Sequence, residues 1–175
     1  MNITVDIQVA TKSDDSPEPE PIHSWIQSAL EHPSVVSLLP QQCVTLEKNI
    51  ELSLRIVDRD ESQNLNQQYR GKNKPTNILS FPSDLPEGLP FLHLGDLVVC
   101  APVVKQESID QQKKLQNHWA HMLIHGTLHL VGFDHVEDAQ AEIMETLEID
   151  ILSTMNIPNP YQYDDQKLQN TSGAQ

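Results

Sequence analysis

Hydrophobic and polar positions alternate with period two over residues 3–9 (Ile-Thr-Val-Asp-Ile-Gln-Val), and again over 50–58, where Ile50, Leu52, Leu54 and Ile56 share one face. Both segments read as strands, because successive side chains on an extended backbone point to opposite faces. Between them, residues 12–21, with Pro17, Pro19 and Pro21 among acids and serines, read as a solvated loop. A short amphipathic helix is expected around Trp25, Ile26 and Leu30, stopping near Pro33. Asp60 to Tyr69 reads as helix, with Leu65 and Tyr69 four apart, whereas Gly71 and Pro75 exclude helix from 71–77. A short strand Ile78–Phe81, a Pro/Gly-rich excursion from Pro82 to Pro90 and a strand over 94–100 follow. Two helices fill about 103–131, with a break near Ile109–Asp110. A last helix, 137–153, turns Met144, Leu147 and Ile151 inward and Asp138, Glu142 and Glu145 outward. Strands and helices interleave without an internal repeat. The expected fold class is α/β: one domain over residues 1–162, a small mixed sheet packed with helices around a central histidine-bearing helix. The polar tail, 163–175, is expected to be disordered.

A length of 175 residues suits a single core. No stretch approaches the roughly 18 apolar residues of a membrane span. The N-terminus lacks both the basic start and the apolar block of a signal peptide. Cys43 and Cys100 each have apolar neighbours and read as buried, reduced thiols, which places the protein in the cytoplasm. The formal charge is -14, from 25 acidic and 11 basic residues. Phosphates are repelled over most of such a surface, so any nucleic-acid site must be a local basic patch. Arg70, Lys72 and Lys74 supply one, three cations within five residues and no acid among them.

Five of the eight histidines fall within residues 118–135. On a helix, His118, His121, His125 and His129 lie within an arc of roughly 80°. Apolar residues, among them Trp119, Leu123, Ile124 and Leu128, cover much of the rest, which describes a buried helix with one polar stripe. Histidines at i and i+4 can aim ring nitrogens at one point, the arrangement that tetrahedral zinc requires. His125/His129 meets this condition, and so does His121/His125. The residues that follow decide between them. Gly132 can end the helix in a left-handed conformation and turn His135 back toward the first pair. The expected ligands of one zinc ion are therefore His125, His129 and His135, with a fourth position open, as in catalytic sites.

Metzincin-type proteases share this spacing, but place a glutamate, the general base, after the first histidine. Here that residue is Gly126, which is expected to leave space beside the metal for a bulky substrate. Charge stabilisation must then come from elsewhere. Arg70 is the candidate, since a guanidinium can hold a phosphate bidentately. The residues expected to act in catalysis are Arg70 and His125, with His121, Lys72 and Lys74 as candidates for the substrate cleft. Asp134, next to a ligand, reads as a turn residue or as one that supports a ligand by hydrogen bonding.

The run His125-Gly-Thr-Leu-His129-Leu-Val-Gly-Phe-Asp-His135 resembles the signature of the YbeY family of bacterial endoribonucleases. Tyr69-Arg70-Gly-Lys-Asn-Lys-Pro-Thr-Asn-Ile-Leu-Ser-Phe-Pro82 resembles a second block of that family, and Leu94-Gly-Asp-Leu-Val-Val-Cys100 a third. His118-Trp-Ala-His121 fits just ahead of the ligands. The resemblance implies an α/β fold, zinc at the three histidines, a functional Arg70, and an RNA substrate in ribosomal RNA maturation and ribosome quality control. It further implies as partners an rRNA precursor, the small ribosomal subunit and ribosome-assembly proteins. Asn77 stands where many members carry Asp, so no carboxylate base is expected there. Two other readings accompany this one: a metzincin-like metalloprotease, and a zinc-containing ribosome-assembly factor without catalytic activity.

Overall fold

The structure is a computed structural model and describes residues 1–45, 47–86 and 88–162. Four strands, β1 (Ile3–Val9), β2 (Asn49–Val57), β3 (Ile78–Pro82) and β4 (Phe91–Cys100), form a sheet in the order β1-β2-β4-β3. β1 and β4 both run parallel to β2, whereas β3 pairs antiparallel with β4, so the sheet is mixed as expected. Its two faces are covered by different elements. Ile50, Leu52, Leu54 and Ile56 of β2 and Leu97 and Val99 of β4 join the larger core, which includes α1 (Pro19–Leu30) and α6 (Leu115–Val131). Leu79, Val98 and Cys100 point the other way, toward Leu65 of α4 (Arg59–Arg70).

The expected strands and longer helices are present, with shifts at some of their ends; β4, for one, begins at Phe91, ahead of the expected 94. The loop expected over 12–21 stops short, because Pro19 opens α1. Prolines are tolerated in a first turn, whose N–H groups have no intrahelical acceptor. What remains of the loop is tied down: Thr11 donates to Asp58 and Lys105 pairs with Asp15 at 2.8 Å. The break between the two helices lies at 111–114, between α5 (Ala101–Asp110) and α6, a little after the expected Ile109–Asp110. Two short helices, α2 (Pro33–Val36) and α3 (Gln41–Val44), carry no periodic signal of their own and deliver Val35 and Cys43 to the core. Both cysteines are free and buried. No described helix is long and apolar enough to cross a membrane. The tail expected at 163–175 lies outside the described residues.

The histidine-bearing helix α6 is central, as its sequence demands. It packs against α1, α5, α7 (Asp138–Thr154), β3 and β4, and eleven of its residues are buried. Gly126 lies close against the sheet. A Cβ built there would lie 2.4 Å from Ile78 Cδ1 and 2.9 Å from Leu97 Cδ2, while Ser80 Oγ donates to the Gly126 carbonyl at 3.2 Å. This corrects one sequence expectation. The space opened by the missing side chain is filled by β3 and β4 and is not available to a substrate.

Candidate metal centre

Gly132, at φ 108°, ends α6 in the left-handed region that the sequence predicted. The chain then doubles back, and Asp134 Oδ1 accepts from the His135 backbone N–H at 2.7 Å, which makes Asp134 a turn residue. The turn brings His135 to His125 and His129, with ring centroids 5.4 and 4.8 Å away. One ring nitrogen from each of the three histidines lies within 4.8 Å of the others. His125 and His129 are half-buried and His135 is exposed, so the cluster opens to solvent on the His135 side.

The donor atoms fit a tetrahedral ion. Nitrogens about 2.0–2.1 Å from such an ion stand roughly 3.3 Å apart, and His125 Nε2 lies 3.2 Å from His129 Nε2. The far side of the His125 ring explains why its Nε2 is a lone pair. Nδ1 is 2.5 Å from Oε1 of Glu148, a fully buried carboxylate on α7. Burial alone would raise the Glu148 pKa, but hydrogen bonds from His121 and His125 outweigh it and hold the group down, at about 2. An ionised carboxylate only accepts, so His125 must carry its proton on Nδ1. His129 likewise resists protonation. Burial, then repulsion from His125 and His135, lowers its pKa to about 4, against a hydrogen bond with the Phe133 backbone that raises it. Neutral rings are what metal ligation requires.

The second oxygen of Glu148 is also engaged. Oε2 accepts from His121 Nε2 at 2.8 Å and from the Tyr161 hydroxyl. Burial, reinforced by the Glu148 charge, raises the Tyr161 pKa, so this hydroxyl keeps its proton and donates. Burial also lowers the His121 pKa, against the pull of Glu148, and His121 Nδ1 is buried with no partner among the described residues. His121, Glu148 and His125 could formally be taken as a second ligand set. Yet 2.5 Å between Nδ1 and Oε1 is a hydrogen bond, too short for two ligands of one ion. His118, at the start of the stripe, is held by Glu107 at 3.2 Å, and Glu107 in turn accepts from Asn77. Asn77 is thus a hydrogen-bond donor here, where an aspartate would face a second carboxylate.

Arg70, Lys72 and Lys74 are exposed. Arg70 ends α4, on the opposite face of the sheet from α6, and its side chain makes no hydrogen bond or ion pair with any described residue. The basic loop after it is pinned to α4 by buried polar side chains. Asn66 donates to the Lys74 carbonyl at 2.8 Å, and Ser62 exchanges hydrogen bonds with both backbone groups of Thr76. The loop then meets the α6 side of the molecule through Asn77 and Glu107.

Sequence reasoning missed Glu148 and Tyr161. For Glu148 a signal existed: it lies four residues after Met144 and three before Ile151, on the face that α7 turns inward. A glutamate there needs a buried partner. Tyr161 follows the last long helix and had no periodic context to mark it.

Comparison with known proteins identifies the family. The family model described as Endoribonuclease YbeY matches residues 8–156. An Endoribonuclease YbeY of Colwellia psychrerythraea (strain 34H) is 48% identical over 161 residues, which are 92% of this chain and 98% of that protein. Among solved structures, the solution structure of TM1509 from Thermotoga maritima matches at 23% identity and a TM-score of 0.47, covering 86% of this chain and 91% of the other. With the family model spanning most of the chain and a relative at nearly half identity, this protein belongs to the YbeY endoribonuclease family.

Proposed function

We propose that this chain hydrolyses phosphodiester bonds in RNA with one zinc ion held by His125, His129 and His135, and that its natural substrate is an rRNA precursor on the small ribosomal subunit. Family membership supports the endoribonuclease activity. The observation that carries the metal reading is the pair of Nε2 atoms 3.2 Å apart, one of them a lone pair because Glu148 holds the proton of the same ring on Nδ1. Zinc at this position would supply Lewis-acid stabilisation of charge developing on phosphate oxygens. The chain's own residues do the rest. His129 resists protonation, the exposed side of His135 leaves an approach for substrate, and Arg70 at the end of α4, with Lys72 and Lys74 on the pinned loop after it, offers cations to the RNA backbone. This activity belongs in the cytoplasm, where rRNA precursors and ribosome-assembly proteins meet.

The packing of Gly126 counts against a peptidase. Residue 126 carries no general-base carboxylate, and a Cβ there would lie 2.4 Å from Ile78 Cδ1 and 2.9 Å from Leu97 Cδ2, so those side chains would have to shift to admit one. Glu148 meets His125 at Nδ1, on the far side of the ring from Nε2. The discriminating experiment offers the zinc-loaded protein labelled structured RNA, single-stranded RNA and an unfolded polypeptide. Cleavage of RNA alone is expected, and cleavage of the polypeptide with intact RNA would overturn the reading.

A further inference from the structure

We infer that Glu148 is the positioning residue of the metal centre: it fixes the tautomer and ring orientation of His125, and Tyr161 and His121 hold it in place. This rests on the reading of His125, His129 and His135 as metal ligands. The starting observation is a carboxylate buried completely in a helix face otherwise made of Met144, Leu147, Ile151 and Leu152. An ionised carboxylate in such surroundings is costly unless every oxygen is hydrogen-bonded. Here each one is. Oε1 takes the His125 Nδ1 proton at 2.5 Å, and Oε2 takes protons from His121 Nε2 at 2.8 Å and from the Tyr161 hydroxyl.

The consequence for His125 is specific. Neutral imidazole carries one proton, and either nitrogen could hold it. In the tautomer with the proton on Nε2, the nitrogen facing His129 would be blocked and a lone pair would face the Glu148 carboxylate. With Oε1 of Glu148 accepting at Nδ1 and Oε2 already taken by His121 and Tyr161, only the other tautomer is compatible, and the ring is aimed before any ion arrives. Carboxylates bonded to the far nitrogen of a ligand histidine also raise its basicity, and losing one weakens metal binding about 10–100-fold. Tyr161 follows α7 and reaches back to the same carboxylate from thirteen residues away. His121 completes the set from one turn earlier on α6. Its Nε2 is committed to Glu148, which accounts for a histidine in the stripe that ligates nothing.

The test is a competition titration of zinc against a chromophoric chelator, with wild type, Glu148→Gln, Tyr161→Phe and His125→Ala. Glutamine keeps the size of the side chain and removes the charge. Glu148→Gln is expected to bind zinc about 10–100-fold more weakly while remaining folded by circular dichroism, with a smaller loss for Tyr161→Phe. Wild-type affinity in folded Glu148→Gln, alongside lost binding in His125→Ala, would overturn the role of Glu148 and leave the metal site standing. Undiminished binding in His125→Ala would instead overturn the metal reading itself. Nitrogen-15 NMR of the metal-free wild type decides the matter even should Glu148→Gln not fold. The His125 proton is expected on Nδ1, and a proton on Nε2 would overturn the inference.

Discussion

His125 Nε2 and His129 Nε2 face each other at 3.2 Å, one turn apart on α6, with no proton available from His125 to bridge them. That separation suits two of the ligand nitrogens of a tetrahedral ion. His125→Ala, His129→Ala and His135→Ala are each expected to reduce zinc content to a small fraction of one per chain, measured by elemental analysis of untagged protein. His118→Ala, whose ring is engaged with Glu107, should retain most of its zinc. Near-stoichiometric zinc in the His135 variant would remove that residue from the ligand set.

Arg70→Lys separates the phosphate contact from the metal site. It preserves charge and loses the planar fork, and is expected to lower RNA cleavage about 10–100-fold. Because Arg70 is exposed and its side chain bonds to no described residue, zinc content and Tm should stay at wild-type values. Cleavage equal to wild type would show that charge alone suffices at this position.

The basic loop makes a separate prediction. Replacing Lys72 or Lys74 with Ala should weaken RNA binding and reduce its salt dependence by about one charge each. The anchors on α4, Ser62 and Asn66, bond backbone groups of Thr76 and Lys74 and not the ammonium groups, so the loop keeps its course in these variants. Identical slopes of log affinity against log salt in wild type and the double variant would place the RNA path elsewhere.

Gly126→Ala tests the packing that replaces the expected open space. The added methyl group would sit 2.4 Å from Ile78 Cδ1 and 2.9 Å from Leu97 Cδ2, both buried. Overpacking of this kind costs about 1–3 kcal/mol, readable as a lower midpoint in urea unfolding. An unchanged midpoint would mean that α6 can move off the sheet without cost.

The metal-free protein should lose stability in acid in two stages. His129 has a folded pKa of about 4 against an ordinary 6.5, so between those values the unfolded chain binds a proton that the folded one does not. Stability therefore falls as pH drops through this window. Glu148, held at about 2 against 4.5, acts in the same direction below pH 4.5. Its contribution is present above the unfolded value and is lost as pH falls toward the folded one. Urea unfolding at pH 7.5 and 5.5 should show a smaller stability difference in His129→Ala than in wild type. An equal difference would mean that this ring does not resist protonation.

How much of this was legible in the sequence depended on whether the signal was local. Period-two runs such as Ile50 to Ile56 gave the strands, and the spacing of His125, His129, Gly132 and His135 gave the cluster, because each is a property of one continuous segment. Pro19 and Pro21 hid the start of α1, since the same residues suit a loop and a first helical turn. Gly126 was misread for a different reason. A missing side chain looks like space, and only the position of Ile78 and Leu97, dozens of residues away, shows that the space is filled. Glu148 was overlooked in an acidic stretch whose other members face outward, although its spacing from Met144 marked it. Arg70 was picked out as a cation, but nothing local could reveal that α4 lies on the other face of the sheet from the histidines.

The most direct test of the account is a titration of zinc into metal-stripped protein with RNA cleavage followed at each step. Cleavage should rise in proportion to added zinc and level off at one ion per chain, and His135→Ala should stay inactive throughout. Full cleavage by the stripped protein before any zinc is added would contradict the account at its centre.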